Sequence, residues 1–102
     1  MTAQASLFNP ERTREERMES AARAFRAARP EVWDAFCQRA HDLHAVYGFP
    51  RYSAKGIWEQ LRWDLIRRGE DSSLNNNHVR FWSRWAMAEG VVPDGFFLTR
   101  DR

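Results

Sequence analysis

Residues 53–90, SAKGIWEQLRWDLIRRGEDSSLNNNHVRFWSRWAMAEG, decide the fold. They read as two helices joined by a polar turn. Ser53 is placed to cap the first, which the pattern carries to about Arg68, with Gly69 as its stop. Ala54, Ile57, Trp58, Leu61 and Leu65 recur at helical spacing and form its inner face. Trp63 points nearly the opposite way, between Gly56, Gln60 and Arg67. A helix with large apolar groups on both sides is expected between two layers, which predicts a covering segment over Trp63, drawn from Phe96 and Phe97. Asp64 is within one turn of Arg67 and Arg68. Glu70 to Leu74 is the polar loop, and Asn75-Asn76-Asn77 offers several caps for the second helix, which ends near Glu89 before Gly90. Its broad inner face is Val79, Phe81, Trp82, Trp85, Ala86 and Ala88. Arg80, Ser83, Arg84 and Met87 fall outside.

Upstream lies another helix, from Pro30 to Tyr47. Trp33, Phe36, Ala40, Leu43 and Tyr47 follow Val32 by 1, 4, 8, 11 and 15 positions, within one face at a repeat of 3.6. Gly48 stands where a left-handed C-cap belongs, and 49–52 is a short extended link. Before it, Asn9-Pro10-Glu11 is a strong helix start, with Asn as cap and Pro at the first helical position. That first helix runs to about Ala28 and carries a narrow stripe of Met18, Ala21, Ala22, Phe25 and Ala28. Glu19 and Arg23 are spaced to pair across one turn. Downstream, Val91-Val92 and Phe96-Phe97-Leu98 flank Pro93-Asp94-Gly95, a tight-turn signal. The segment reads either as a small hairpin or as a coil whose phenylalanines fold back.

The chain therefore reads as all-α: a single compact four-helix domain at 9–102, with a helix-loop-helix core, a short extended C-terminal segment and a flexible tail at 1–8. Its 102 residues suit one domain and not two. The aromatic share of 14% supports a real core. A net charge of +2 is too small to imply a polyanion partner by itself. Nearly all of the positive charge is arginine, since Lys55 is the only lysine, and arginine forks onto phosphate or carboxylate. Cys37 is the only cysteine, which excludes an internal disulfide and fits a reducing cytoplasm. With no apolar run of membrane-spanning length and no signal-peptide core, the expectation is a soluble cytoplasmic protein.

Three constellations invite a functional reading. In the first, the helix after the polar loop would read double-stranded DNA. Asn76, Asn77, Arg80, Ser83 and Arg84 lie toward its start and outer face, where DNA-reading helices present polar side chains. Asn suits adenine, and Arg suits guanine or phosphate. The 91–98 segment would then sit where a wing sits in winged-helix proteins, although the Gly69–Asn75 loop exceeds the turn of a compact helix-turn-helix. In the second, Cys37, His41 and His44 line one flank of the 30–47 helix at i, i+4, i+7, and all three side chains can bind zinc. A fourth ligand is wanting unless His78 supplies it, so the expectation is no metal and no cofactor. In the third, Trp58, Trp82 and Trp85 are read as core, while Trp63 with Arg67 can anchor a protein contact. Catalysis has no motif behind it: no Gly-rich phosphate loop, no Gly-x-Ser-x-Gly and no His-Glu-x-x-His. A non-enzyme is expected.

Several segments resemble a family of small proteins carried by phages, prophages and bacterial genomes. They are Arg51-Tyr52-Ser53-Ala54-Lys55, the Ile57–Trp63 stretch ending Leu-Arg-Trp, Leu74-Asn75-Asn76-Asn77 and Gly95-Phe96-Phe97 with Arg100. The entry Ala28-Arg29-Pro30-Glu31-Val32-Trp33 is similar too. The resemblance spans about 25–100, and the chain departs from it at Phe81 and from Trp82 to Trp85. It implies a mobile-element origin and a bacterial cytoplasm, and it carries no residue roles. Two roles are compatible with it: a small DNA-binding factor, monomer or homodimer, acting through 76–89, or a module that captures a host enzyme or nuclease through Trp63 and Arg67.

Overall fold

The computed structural model describes residues 10–98. Four α-helices follow one another: α1 (Pro10–Ala28), α2 (Pro30–His41), α3 (Ala54–Arg67) and α4 (Val79–Ala88). A π-helical turn, Asp42–Val46, extends α2, and a 3₁₀ turn, Asn76–His78, leads into α4. The chain is all-α, with no strand among the described residues. The tail at 1–8 lies outside them.

Local sequence sets the ends. Pro30 opens α2 at its first turn with Glu31 beside it, and Arg29 closes the α1–α2 corner. Ser53 accepts a hydrogen bond from the Gly56 amide at 3.1 Å, capping α3 as its spacing predicts. Asn75 does the same for the 3₁₀ turn through the Asn77 amide at 2.8 Å. Gly48 and Gly69 take positive φ at the ends of the second and third helical segments. The expected Glu19–Arg23 pair forms at 2.9 Å.

All four helices meet at Trp82, which is fully buried. Its indole N–H donates to the Ala22 carbonyl of α1 at 3.2 Å. Its ring stands edge-on to Trp33 and Phe36 of α2 and to Trp58 of α3, with centroids 5.2, 5.8 and 4.9 Å away. Around this knot pack Val32, Ile57, Leu61, Leu65, Phe81 and Ala86. Trp85 is only half-buried, roofed by the Arg23 and Arg26 guanidinium groups. Arg26 is held in a two-pronged pair with Glu89 at 2.8 and 2.9 Å, which fastens α1 to the end of α4.

Four expectations are corrected. Tyr47, read as inward, is 70% exposed. The π turn causes this: Tyr47 N–H bonds to the Asp42 carbonyl, five residues back, so the wider turn rotates Tyr47 off the apolar stripe. Phe96 and Phe97 do not cover Trp63. They are buried on the other side of the core, where Phe97 tilts against Phe36 at 5.8 Å and Phe96 meets His44 edge-on at 5.5 Å. The 91–98 segment forms no wing, and of its two readings the hairpin fails while the coil with inward phenylalanines holds. It is a coil with a turn at 93–95, tied to the 50–53 link by one backbone bond from Tyr52 to Phe96. Ala88, read as inward, is exposed.

His78 is buried at the corner between the 3₁₀ turn and α1, its ring 5.3 Å from that of Phe25. Its Nδ1 has no partner among the described residues, and burial holds the imidazole below its ordinary range. The folded chain thus favours neutral His78, while the unfolded chain takes a proton near pH of about 6.5. The stability that follows is complete above that value and drains away as pH falls through the folded-state value. Thermal midpoints should be level above about pH 7 and decline as the pH falls below about 6.5, with His78→Gln flattening the decline. A level profile below that pH in the unaltered protein would show that His78 does not couple protonation to folding.

Candidate nucleic-acid interface

Two helix starts converge on one cleft of about 760 Å³. The start of α3 brings Ser53, Ala54 and Lys55, preceded by Arg51 and Tyr52. The start of the 3₁₀ turn and α4 brings Asn76, Asn77, Val79, Arg80 and Ser83. Leu98 closes one side. Three of the lining residues are cations, Arg51, Lys55 and Arg80, and none is an acid.

Electrostatics make this arrangement unusual. A helix N-terminus carries partial positive charge and is stabilised by acids in its first turn. α2 follows that rule with Glu31. α3 has no acid in its first turn, nor does α4; Lys55 and Arg80 stand there instead. Unfavourable local charge of this kind is relieved by an anion seated between the two starts. Among the described residues neither Arg51 nor Lys55 forms a close salt bridge, although Lys55 is near enough to Glu59, one turn on, to help hold its carboxyl below the usual range. Arg80 is paired with Glu15 of α1 at 2.6 Å and lies over the Phe81 ring at 4.6 Å.

Of the residues expected to contact DNA, Asn76, Asn77, Arg80 and Ser83 line this cleft, while Arg84 does not. Asn76 is already engaged, since its Oδ1 accepts from Arg62 at 2.9 Å. Arg62 also donates to the Leu74 carbonyl and pairs with Glu59, so it braces the loop before α4. Ser83 requires a correction: it is buried, not outward. The inward face of α4 is centred on Trp82 and Ala86 and wide enough to take in Ser83. Its hydroxyl is satisfied by donating to the Arg80 carbonyl at 2.9 Å.

Reading the sequence missed Arg51 and Lys55 as site residues. A signal for Lys55 exists, because the only lysine of an arginine-rich chain stands in the first turn of a helix. Arg51 acquires meaning only once α4 is folded against α3.

Trp63 is 57% exposed, with Ile66 one turn on at 45%. Arg67 pairs with Asp64, and Asp64 also accepts from Arg39 of α2 at 2.7 Å. Arg68 turns to Glu70 rather than to Asp64. The Cys37, His41 and His44 flank gathers no ligand set: among the described residues, no group of three His, Cys, Asp or Glu is placed to hold a metal ion. Cys37 is half-buried, and burial pushes its thiol up to about 12, away from the thiolate that zinc needs. His44 lies edge-on to Phe96, and His78 belongs to the α1 corner.

No helix among the described residues is long and apolar enough to cross a membrane. Set against protein-family models, curated proteins and solved structures, the chain finds no match.

Proposed function

We propose that the chain binds double-stranded DNA without catalysing a reaction, seating the phosphate backbone in the cleft between the starts of α3 and α4. The observation that supports this most is the lining itself: Arg51, Lys55 and Arg80 with no acid among them, at two helix N-termini that both favour an anion. In this reading Asn77 and the start of α4 face the groove, where an Asn amide can address adenine. The acceptor atom of Asn76 stays with Arg62, so Asn76 positions α4 rather than reading a base. The resemblance to small phage and prophage proteins supports a mobile-element origin and a bacterial cytoplasm as the setting.

A direct test is fluorescence anisotropy of a mixed-sequence labelled duplex titrated with the protein at low salt, with single-stranded DNA as competitor. Saturable duplex binding that weakens steeply with salt is expected. An absence of binding at low salt ends the proposal, and preferential displacement by single strands moves the ligand to that class.

A second reading has an observation of its own. Trp63 is exposed beside Arg67, the pairing of residue types that anchors protein interfaces. On this reading α3 presents a protein-contact face, separate from the cleft.

A further inference from the structure

The outward face of α3 carries more exposed apolar surface than a lone solvated helix needs. Trp63 and Ile66 project from it, and Tyr47, 70% exposed, borders the same groove as Gln60, which lies one turn before Trp63. Trp63 and Ile66, three positions apart on one face, make a small exposed apolar patch of the kind that marks a contact surface.

The charges beside Trp63 have a pattern that the apolar residues alone do not show. Counting outward from Trp63, Arg62 is matched by Asp64, and Glu59 four positions before is matched by Arg67 four positions after. Over these two pairs the sign of the charge inverts about Trp63, and the symmetry ends at the next position, where Arg68 is matched by Trp58. When two such helices cross antiparallel about a two-fold axis at Trp63, each charged position meets its opposite: Glu59 faces Arg67 of the other copy, and Arg67 faces its Glu59. Crossed parallel, Glu59 would meet Glu59.

The outer pair is the more exposed of the two. Asp64 is held by Arg39, and Arg62 is committed to Leu74 and Asn76. Glu59 and Arg67 have side chains 44% and 66% exposed; on the same helix Glu59 pairs with Arg62 and feels the charge of Lys55, and Arg67 pairs with Asp64. A two-fold contact must be self-complementary, because the same patch supplies both halves. This face meets that condition in sign, with Trp63 opposing Trp63 on the axis and Ile66 falling beside Gln60, whose amide is held by Arg39 and Tyr52.

We infer that the outward face of α3 is the interface of a homodimer, two copies crossing antiparallel at Trp63 with Glu59 of each opposite Arg67 of the other. The inference rests on the second reading above, a protein contact through Trp63, and names its partner as a second copy of this chain. Apolar contact between the Trp63 and Ile66 side chains supplies most of the attraction, and the Glu59–Arg67 pairs set the direction of crossing. Exposed pairs of this kind contribute little to affinity but penalise a wrong partner when reversed.

The test is sedimentation equilibrium of the full chain over a wide concentration range, with three charge variants and Trp63→Ala. The unaltered protein should pass from monomer to dimer as concentration rises. Glu59→Arg alone and Arg67→Glu alone each place like charges across the axis twice and should weaken the dimer about tenfold, equivalent to about 1.4 kcal/mol. The double variant restores the match in reverse and should recover most of the affinity, which no effect on folding can imitate. Trp63→Ala should be monomeric, with its thermal midpoint nearly unchanged. A protein that stays monomeric at the highest concentration overturns the inference, yet the protein-contact reading stands if a foreign protein is then found to require Trp63. A dimer indifferent to Trp63→Ala overturns the inference and that reading together. A dimer that needs Trp63 but is not rescued by the double charge reversal overturns the antiparallel crossing.

Discussion

Trp82→Ala is expected to cost about 3–5 kcal/mol of folding stability, at the upper end of that span. The transfer of a whole indole accounts for much of it, and the cavity left behind adds to it because the surroundings relax only in part. Those surroundings are large and buried: Trp33, Phe36 and Trp58 each meet the missing ring at nearly a right angle, from two different helices. The Ala22 carbonyl also loses the indole N–H as its second donor, keeping only its bond within α1, and Ala22 itself is fully buried. A domain of this size has a total stability of roughly 5–15 kcal/mol, so the variant should be largely unfolded at physiological temperature if the parent sits near the lower end. Urea titration of the two proteins measures the difference. Trp63→Ala is the matched control, since it removes the same side chain from an exposed position and should shift stability by about 0.5 kcal/mol or less. A loss below about 1 kcal/mol for Trp82→Ala would mean that the four helices are not joined at this ring.

Why Trp82 and not Trp63 holds the fold together was legible in the chain, because periodicity ranks positions by the face they share. Ile57, Trp58, Leu61 and Leu65 repeat at helical spacing, Trp63 falls opposite them, and the buried and exposed sets follow that division. The expectation failed at the next step, when a large exposed aromatic was assumed to need a cover from within the chain. Nothing in local spacing says whether a cover comes from the same molecule.

Other departures have local physical causes that a fixed repeat cannot express. Tyr47 leaves the apolar stripe because five residues of π-helix intervene, and one wide turn is enough to change the face. Ser83 is inward because its hydroxyl finds a partner on its own helix, which removes the cost that would keep it at the surface. The cleft was half legible. Asn77 and Arg80 stand out on a helix start, but Arg51 and Lys55 are some 25 residues earlier, and only the packing of α3 against α4 brings the two groups to one place. The pairing of Arg80 with Glu15 is less legible still, spanning 65 positions of sequence.

That pairing sets the last expectation, in which loss and gain of binding have opposite signs. If Arg51, Lys55 and Arg80 each neutralise a phosphate, Arg51→Ala, Lys55→Ala and Arg80→Ala combined should weaken duplex binding at low salt by about 100- to 1,000-fold. The salt dependence should flatten by about 2.7 in the log–log slope, close to 0.9 for each phosphate no longer neutralised. The Arg51→Ala and Lys55→Ala pair alone should lower the slope by about 1.8 and leave the thermal midpoint nearly in place, because both side chains are exposed and neither forms a close salt bridge among the described residues. Glu15→Gln should act the other way. The carboxylate holds Arg80 at 2.6 Å and competes with any phosphate for the same guanidinium. Replacing it with a neutral amide removes the competitor and should tighten binding several-fold while steepening the salt dependence. A destabilised protein can mimic the loss of binding in the triple variant, but it cannot mimic a gain in Glu15→Gln. If Glu15→Gln leaves affinity unchanged while Arg84→Ala abolishes it, the phosphate contact lies on the outer face of α4, away from the cleft, and the site must be redrawn there.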